Sequence, residues 1–268
     1  MNTPVRSRSD LPAPLPEIRL LDTRVTPCTV PEFLGYVAEC VDGRKRRLVT
    51  NHNLHSLALT RSDECMRDLI DSSDLVFIDG FGALAISQAL GHRVHADMKV
   101  SVLDWIWPLL RTATERNWTI MHLGSDTEVI REALAQIDSN VPKAHFIALP
   151  GYFDKDPRSR DTARVIRQIR RVRPDVLLIG FGMPVQEHWL SAVWSDLPDC
   201  VCVTVGGVIG YLGNERKTPP RWLGRYGFEW LYRLIDEPSR LCHRYLVEPW
   251  CLVKPVAREM VLTRRTPR

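Results

Sequence analysis

The chain has 268 residues, 44% of them apolar, which is enough to bury a full core in one large domain or in one domain with an appendage. No stretch of the sequence approaches the ~20 apolar residues of a membrane span, and no apolar segment follows Arg6 and Arg8, which argues against a signal peptide. The seven cysteines are scattered and form no CxxC pair, which favours reduced thiols over disulfides or zinc. We therefore expect a cytoplasmic protein.

The net charge of +4 is unevenly distributed along the chain. Residues 215–268 contain twelve Lys and Arg against six Asp and Glu, a net +6, whereas residues 1–214 carry 24 against 26, a net −2. A basic segment of this kind is attracted to nucleic acid, to acidic lipid head groups or to diphosphate, and it is equally typical of a solvated helix.

The predicted elements alternate between strands and helices after a polar, proline-rich start at residues 1–17. Short runs rich in Val, Ile and Leu predict strands at Arg47–Asn51, Leu75–Ile78, Trp118–Leu123, His145–Ala148, Val176–Ile179 and Val201–Val205. Amphipathic segments predict helices at Leu57–Ser72, Gly82–Leu90, Val102–Arg116, Asp126–Ser139, Arg158–Arg171 and Pro184–Ser195. This order predicts an α/β fold, a single Rossmann-like and mostly parallel sheet with helices on both faces.

The composition divides the chain into three expected parts. Residues 1–17 form a flexible arm, residues 18–214 an α/β catalytic domain, and residues 215–268 a basic helical C-terminal appendage. Trp222, Trp230 and Trp250 lie among charges in the appendage, as in helices that face a membrane surface. Packing of these rings on the core or on another subunit is the alternative.

Glycines follow four of the predicted strands, at the edge where parallel sheets bind their ligands. The expected ligand-contacting glycines are Gly80, Gly124, Gly182, Gly206 and Gly207. Glycine lets the backbone approach a ligand closely, and helix N-termini offer free N–H groups to a phosphate. The same glycines could serve turn geometry alone.

Asp79 is the carboxylate that the pattern places best for catalysis. It follows the apolar run LVFI and precedes a glycine, so we expect it at the tip of a buried strand, facing the ligand crevice. That position suits a general base that takes a proton from an attacking hydroxyl. The alternative is an N-cap for a helix that begins near Phe81.

Polar side chains also follow the first predicted strand, where Thr50, Asn51 and Asn53 could hydrogen-bond a sugar or uracil, or could serve turns and helix caps. His52 and His55 lack a third ligand at a matching spacing, so we expect no metal. The DxD sequence at 154–156 is interpreted as an exposed loop.

Several motifs, in order from about Leu48 to Leu246, resemble the WecG/TagA/CpsF glycosyltransferases, glycosyltransferase family 26. They are Asn53, Asp79–Gly80, Gly151–Phe153, GFGMPVQE at Gly180–Glu187, Val205–Gly207, and the tail RKTPPRW…GFEWLYRLIDEPSRLCHRYL. The resemblance implies an inverting transferase that moves a sugar from a UDP donor to a lipid-diphosphate-linked acceptor. It implies action at the inner face of the cytoplasmic membrane, with no metal or other cofactor required.

The resemblance also implies roles for individual residues. Asp79 corresponds to the proposed catalytic base and Asn53 to a substrate-binding asparagine. Gln186, with Glu187 beside it, corresponds to the glutamine placed at the donor or acceptor sugar. The basic start of the appendage, thought to close over the site, corresponds to Arg216, Arg221 and Arg225.

The chain departs from the family pattern at three positions. Asn51 stands where the family usually has Thr, with Thr50 one step earlier. Asp104 survives in the segment MKVSVLDW, but the glycine of the family's Arg-x-x-Gly-x-Asp does not, so donor preference can differ. The usual Arg-Ala-Pro is Lys217-Thr218-Pro219.

The implied mechanism is one in-line displacement in which Asp79 deprotonates an acceptor hydroxyl and UDP leaves. Helix N-termini near Gly124 or Gly206 and the tail arginines would neutralise the diphosphate. A Rossmann-type dehydrogenase is the first alternative, although no GxGxxG with a following acidic residue is present. A non-catalytic membrane-binding or nucleic-acid-binding module is the second, although no nucleic-acid motif is present. The donor sugar, the acceptor saccharide and homo-oligomer formation stay open.

Overall fold

The computed structural model describes residues 15–213, 215, 223 and 228–265. An antiparallel hairpin of β1 (Ile18–Leu20) and β2 (Thr23–Val25) comes first. The other elements of the core are α1 (Val30–Asp42), β3 (Arg47–His52), α2 (Leu54–Leu59), α3 (Glu64–Ser72), β4 (Leu75–Ile78), α4 (Phe81–Ala89), α5 (Val102–Glu115), β5 (Thr119–Gly124), α6 (Thr127–Asn140), β6 (His145–Leu149), α7 (Arg160–Val172), β7 (Val176–Gly180), α8 (Val185–Val193), β8 (Val201–Thr204) and α9 (Val208–Leu212). The C-terminal layer comprises α10 (Glu229–Asp236), α11 (Pro238–Cys242), a π-turn (His243–Val247) and α12 (Trp250–Arg265).

The six longer strands form one parallel sheet in the order β4-β3-β8-β7-β5-β6. All of their carboxyl ends therefore lie along one edge, where the loops that follow them meet. The predicted α/β fold is confirmed, and each predicted strand matches an observed one to within a residue at either end.

Helices cover the two faces of the sheet and bury separate halves of the core. On one face, Phe33 of α1 packs against Phe77 of β4 and Trp105 of α5, with ring centroids 5.1 and 4.9 Å apart. On the other face, Trp189 of α8 and Ile169 of α7 pack on strands β5 and β7. Burial on both faces explains why β4, β7 and β8 are nearly continuous apolar runs rather than alternating ones.

The predicted helix Leu57–Ser72 is wrong, because the segment forms two helices. Asp63 accepts a hydrogen bond from the Met66 backbone N–H at 2.9 Å and so caps a new helix, α3. The hairpin and α1 were not predicted, although Thr29 and Glu32 form a capping box that is visible in the sequence as T-x-x-E. The predicted arm falls mostly on residues 1–14, which lie outside the described residues.

The C-terminal layer packs on the N-terminal hairpin and on α2. Leu252 of α12 is buried in a cluster with Leu20, Leu57 and Ile78. Glu259, about two turns further along α12, accepts a hydrogen bond from the Leu21 backbone N–H at 3.1 Å. Of the helices within the described ranges, none is both long enough and apolar enough to cross a membrane.

We expect Leu252→Ala to lower the free energy of unfolding by about 2–4 kcal/mol, because it leaves a cavity between α12 and the hairpin. Val253→Ala is the matched control, since the Val253 side chain is 52% exposed and should cost less than about 0.5 kcal/mol. Urea unfolding of both variants measures the difference. Equal, small losses would show that α12 is not part of the core.

Candidate active site

Two adjoining cavities open at the carboxyl edge of the sheet. The sheet-edge cavity, about 450 Å³, is lined by the residues that follow all six parallel strands, from Asp79 beyond β4 to Gly151 beyond β6. The helix-covered cavity, about 310 Å³, lies between the start of α4 and the C-terminal layer. The residues that line both are Asn53, Asp79, Arg233, Arg244 and Tyr245.

Asp79 stands where the two cavities meet. Gly80, with φ +83°, is the N-cap residue of α4, so Asp79 does not have the capping role that was its alternative. Burial raises the pKa of the Asp79 carboxyl above its usual range, and Arg233 and a hydrogen bond from Asn53 oppose that shift. A carboxylate stripped of water in this way is a stronger base than one in solvent.

Asn53 holds Asp79 while capping α2. Its Oδ1 accepts a hydrogen bond from the Ser56 backbone N–H at 3.0 Å, which leaves its amide N–H groups to donate to the Asp79 carboxylate. The Asn53 side chain therefore caps α2 through its oxygen and holds the Asp79 carboxylate through its nitrogen.

Arg233 of α10 and Arg244 of the π-turn bring positive charge to Asp79. Burial disfavours the charge on Arg233, but Tyr211, Tyr245 and Asp79 outweigh burial and raise its pKa. Its guanidinium lies 5.2 Å from the centroid of the Tyr211 ring. Sequence reasoning missed both arginines because their pattern is that of an ordinary amphipathic helix. The predicted Arg216, Arg221 and Arg225 lie outside the described residues.

Gln186 and Glu187 form a buried clasp on the loop after β7. The Gly182 backbone N–H donates to Gln186 Oε1 at 3.1 Å, and Gln186 Nε2 donates to Glu187 Oε1 at 2.7 Å. Gly182, with φ +85°, and Gln186 line the sheet-edge cavity, whereas Glu187 lines neither cavity. The amide of Gln186 is therefore committed to holding Gly182 in place. Burial raises the pKa of the Glu187 carboxyl to about 7.

Glycines let the strand ends approach one another and form the floor of the sheet-edge cavity. A methyl group on Gly180 would lie 2.5 Å from the Gly206 carbonyl oxygen, and one on Gly124 would lie 2.6 Å from the Gly180 carbonyl oxygen. Gly206 and Gly207 line the cavity, but Gly124 lines neither cavity. The N-terminus of α6, expected as a phosphate site near Gly124, is instead capped by Asp126, which accepts from two backbone N–H groups.

The remaining predicted residues divide by strand face. Asn51 lines the sheet-edge cavity and donates from Nδ2 to the Thr204 carbonyl oxygen at 3.0 Å. Thr50 points the other way and donates to Ser73 Oγ at 3.0 Å. Asp104 lies in the first turn of α5 and lines neither cavity. The structure thus brings Asn51, but not Thr50 or Asp104, to the cavities.

The two histidines near this edge have protein partners. The His52 ring lies between the hydroxyls of Thr23 and Ser56, at 3.0 and 2.9 Å, and burial lowers its pKa to about 3. His55 hydrogen-bonds Glu248 of the C-terminal layer. Within the described ranges, no three His, Cys, Asp or Glu side chains are grouped closely enough to share a metal ion.

A parallel α/β fold with a desolvated carboxylate and two arginines over a glycine floor is that of an enzyme acting on an anionic substrate. The sequence model of the WecG/TagA/CpsF glycosyl transferase family matches residues 18–266, and the chain belongs to that family. It is therefore a glycosyltransferase. Family membership removes the dehydrogenase and the non-catalytic module as alternatives.

Three curated relatives share the name N-acetylglucosaminyldiphosphoundecaprenol N-acetyl-beta-D-mannosaminyltransferase. The Bacillus subtilis protein is 29% identical over 209 residues, 78% of this chain and 79% of the relative. A Bacillus spizizenii protein is 26% identical over 172 residues, 64% of each chain. A Staphylococcus aureus protein is 25% identical over 178 residues, 65% of this chain and 66% of the relative.

We expect Glu187→Gln to change the pH dependence of stability. The folded-state pKa of Glu187, about 7, is above its ordinary value of 4.5. The contribution of Glu187 to the free energy of unfolding is therefore fully present below pH 4.5 and is lost as the pH rises through 7. The loss reaches about 3 kcal/mol at most. A glutamine cannot ionise but keeps an acceptor for Gln186.

Urea unfolding of the wild type and the variant at pH 4.5 and pH 8.5 measures this effect. The variant should gain stability relative to the wild type at the higher pH. Glu132→Gln, at an exposed position of α6, is the control and should show no such gain. Parallel pH profiles for wild type and Glu187→Gln would contradict the assignment.

Proposed function

We propose that the chain is an inverting glycosyltransferase that moves a sugar from a UDP-sugar to a polyprenyl-diphosphate-linked saccharide. The product would serve bacterial exopolysaccharide or cell-wall polymer synthesis. The observation that carries the proposal is the position of Asp79 between two cavities, beside Arg233 and Arg244. The names of the relatives, which specify a sugar transferred to a diphosphoundecaprenol-linked sugar, support the acceptor class.

In this proposal each cavity holds one substrate. The donor occupies the polar sheet-edge cavity, with its anomeric carbon near Asp79. The acceptor saccharide enters the helix-covered cavity, whose wall includes Trp230, Tyr245 and Pro249. Asp79 takes the proton of an acceptor hydroxyl, the oxygen attacks the anomeric carbon, and UDP leaves from the opposite side, which inverts the configuration.

The leaving diphosphate needs compensation for the charge that develops on it. Arg233 and Arg244 line both cavities, so a diphosphate bound between them would meet two guanidinium groups. The planar guanidinium fork matches phosphate oxygens in a bidentate way. Because these arginines belong to the C-terminal layer, the active site is complete only when that layer is packed on the core.

We expect Asp79→Asn to lower turnover by ~100-fold or more, because an amide cannot accept the acceptor's proton. The assay uses a panel of UDP-sugars with a short-chain polyprenyl-diphosphate N-acetylglucosamine acceptor. Binding of UDP, measured by calorimetry, should stay near the wild-type value and serves as the control for folding. Near-normal turnover would leave Asp79 a structural role only.

The C-terminal layer also presents apolar side chains to solvent. Ile235 and Trp250 are 74% and 73% exposed, and Leu246, Val247 and Val253 are about half exposed. Lys254 and Arg258 of α12 are exposed beside them. Apolar side chains flanked by cations are typical of surfaces that lie in a membrane interface with acidic lipids. We therefore place this face on the inner surface of the cytoplasmic membrane, where the lipid-linked acceptor resides.

We expect the double variant Ile235→Ser, Trp250→Ser to bind phosphatidylglycerol vesicles at least ~10-fold more weakly, because two apolar side chains are removed from the interface. Vesicle sedimentation measures the change. Ile147→Ser is the control, since Ile147 is 38% exposed on β6, away from the C-terminal layer. UDP binding should be unaffected in both. Unchanged vesicle binding of the double variant would place the membrane contact elsewhere.

A further inference from the structure

Lys155 is a cation on the wall of the sheet-edge cavity to which the proposed chemistry assigns no task. It lies in the loop after β6, and its Nζ donates to the Gly151 carbonyl oxygen at 2.7 Å and to the Phe153 carbonyl oxygen at 3.3 Å. The same Nζ lies 4.6 Å from the centroids of the Phe153 and Phe181 rings. These contacts fix the ammonium group in one place.

The surroundings of Lys155 hold its charge without neutralising it. Carbonyl dipoles and aromatic faces attract a cation, but neither carries a formal charge. In the part of the chain that the structure describes, no carboxylate forms an ion pair with Nζ, and two of its three N–H donors are used. Burial lowers the pKa of Lys155, as expected for a partly desolvated ammonium group, and the nearby Asp154 carboxylate only opposes that shift. One donor remains for a ligand in the cavity.

The position of Lys155 along the sheet edge indicates which part of a ligand it meets. Phe181, which it touches, follows β7, and Asp79 follows β4, three strand positions away. At ~4.8 Å per strand this separation is about 14 Å, and β6 is two strands further. If the anomeric carbon of a UDP-sugar lies at Asp79, the diphosphate lies next to it and the nucleobase is the part that extends farthest. Lys155 therefore faces the nucleobase end.

We propose that Lys155 determines nucleobase specificity by donating a hydrogen bond to the O4 carbonyl oxygen of uracil. This inference rests on the proposed UDP-sugar donor and adds a residue that selects it. An ammonium group donates hydrogen bonds and accepts none. Uracil presents an acceptor at position 4, whereas cytosine presents an amino donor there, as thymine and cytosine do in DNA. A donor held rigidly at this point therefore favours uracil over cytosine.

The test compares UDP with CDP, because the two bases differ in the group at position 4 and in the proton on the neighbouring N3, and in nothing else. We expect the wild type to bind UDP at least ~10-fold more tightly than CDP by calorimetry. Lys155→Met should bring the two affinities to within ~3-fold, mainly by weakening UDP. Lys155→Arg retains a cationic donor and should retain the preference. Lys143→Met, at an exposed position after α6 and outside both cavities, is the matched control and should leave both affinities unchanged.

Each other outcome has a distinct meaning. Equal weakening of UDP and CDP in Lys155→Met would make Lys155 a partner of phosphate or ribose and would overturn the inference. A wild type that binds UDP and CDP alike would also overturn it, while leaving the UDP-sugar donor intact. A wild type that binds neither nucleotide would instead contradict the proposed function. CDP binding by Lys155→Met separates loss of the loop from loss of a base contact, since only the latter leaves CDP binding intact. Thermal unfolding of the variant checks that the fold is retained.

Discussion

The site depends on an electrostatic balance around one desolvated carboxylate. Removal of water raises the pKa of Asp79, while Arg233 and the hydrogen bond from Asn53 act in the opposite direction. The carboxylate and its asparagine come from the sheet edge, and the arginine comes from α10 in the C-terminal layer. A buried carboxylate without a compensating charge is costly. The packing of the C-terminal layer and the charge state of Asp79 are therefore coupled.

The second constraint is steric, and it shapes the sheet-edge cavity. Gly124 and Gly180 let adjacent strand ends come within a distance that a side chain at either position would block. The clasp from Glu187 through Gln186 to Gly182 then fixes the loop that borders this floor. The polar pair of the GFGMPVQE motif thus positions the backbone of this loop, while Gln186 also lines the cavity. The polar cavity that results runs the length of the sheet edge, with Asp79 at one end and Lys155 toward the other.

The sequence predicted the strands best, because their composition depends mainly on burial. The six parallel strands are short segments rich in Val, Ile and Leu, as expected for strands of a covered parallel sheet, so their positions could be predicted to within a residue. The break between α2 and α3 was missed because Asp63, a local cap, overrides the apolar periodicity across it. Asp79 could be found because it ends a buried strand. Arg233 and Arg244 could not, because their contact with Asp79 depends on how a distant helical segment packs, and nothing in their spacing records that.

A structure of the complete chain with UDP and a short-chain lipid-diphosphate sugar bound together tests the central claim most directly. The account predicts that the diphosphate of UDP contacts Arg233 and Arg244, and that the attacking hydroxyl of the acceptor lies within ~2.6–3.2 Å of the Asp79 carboxylate. It would be contradicted by a complex in which UDP lies away from the sheet edge, or in which another side chain contacts that hydroxyl while Asp79 faces neither substrate.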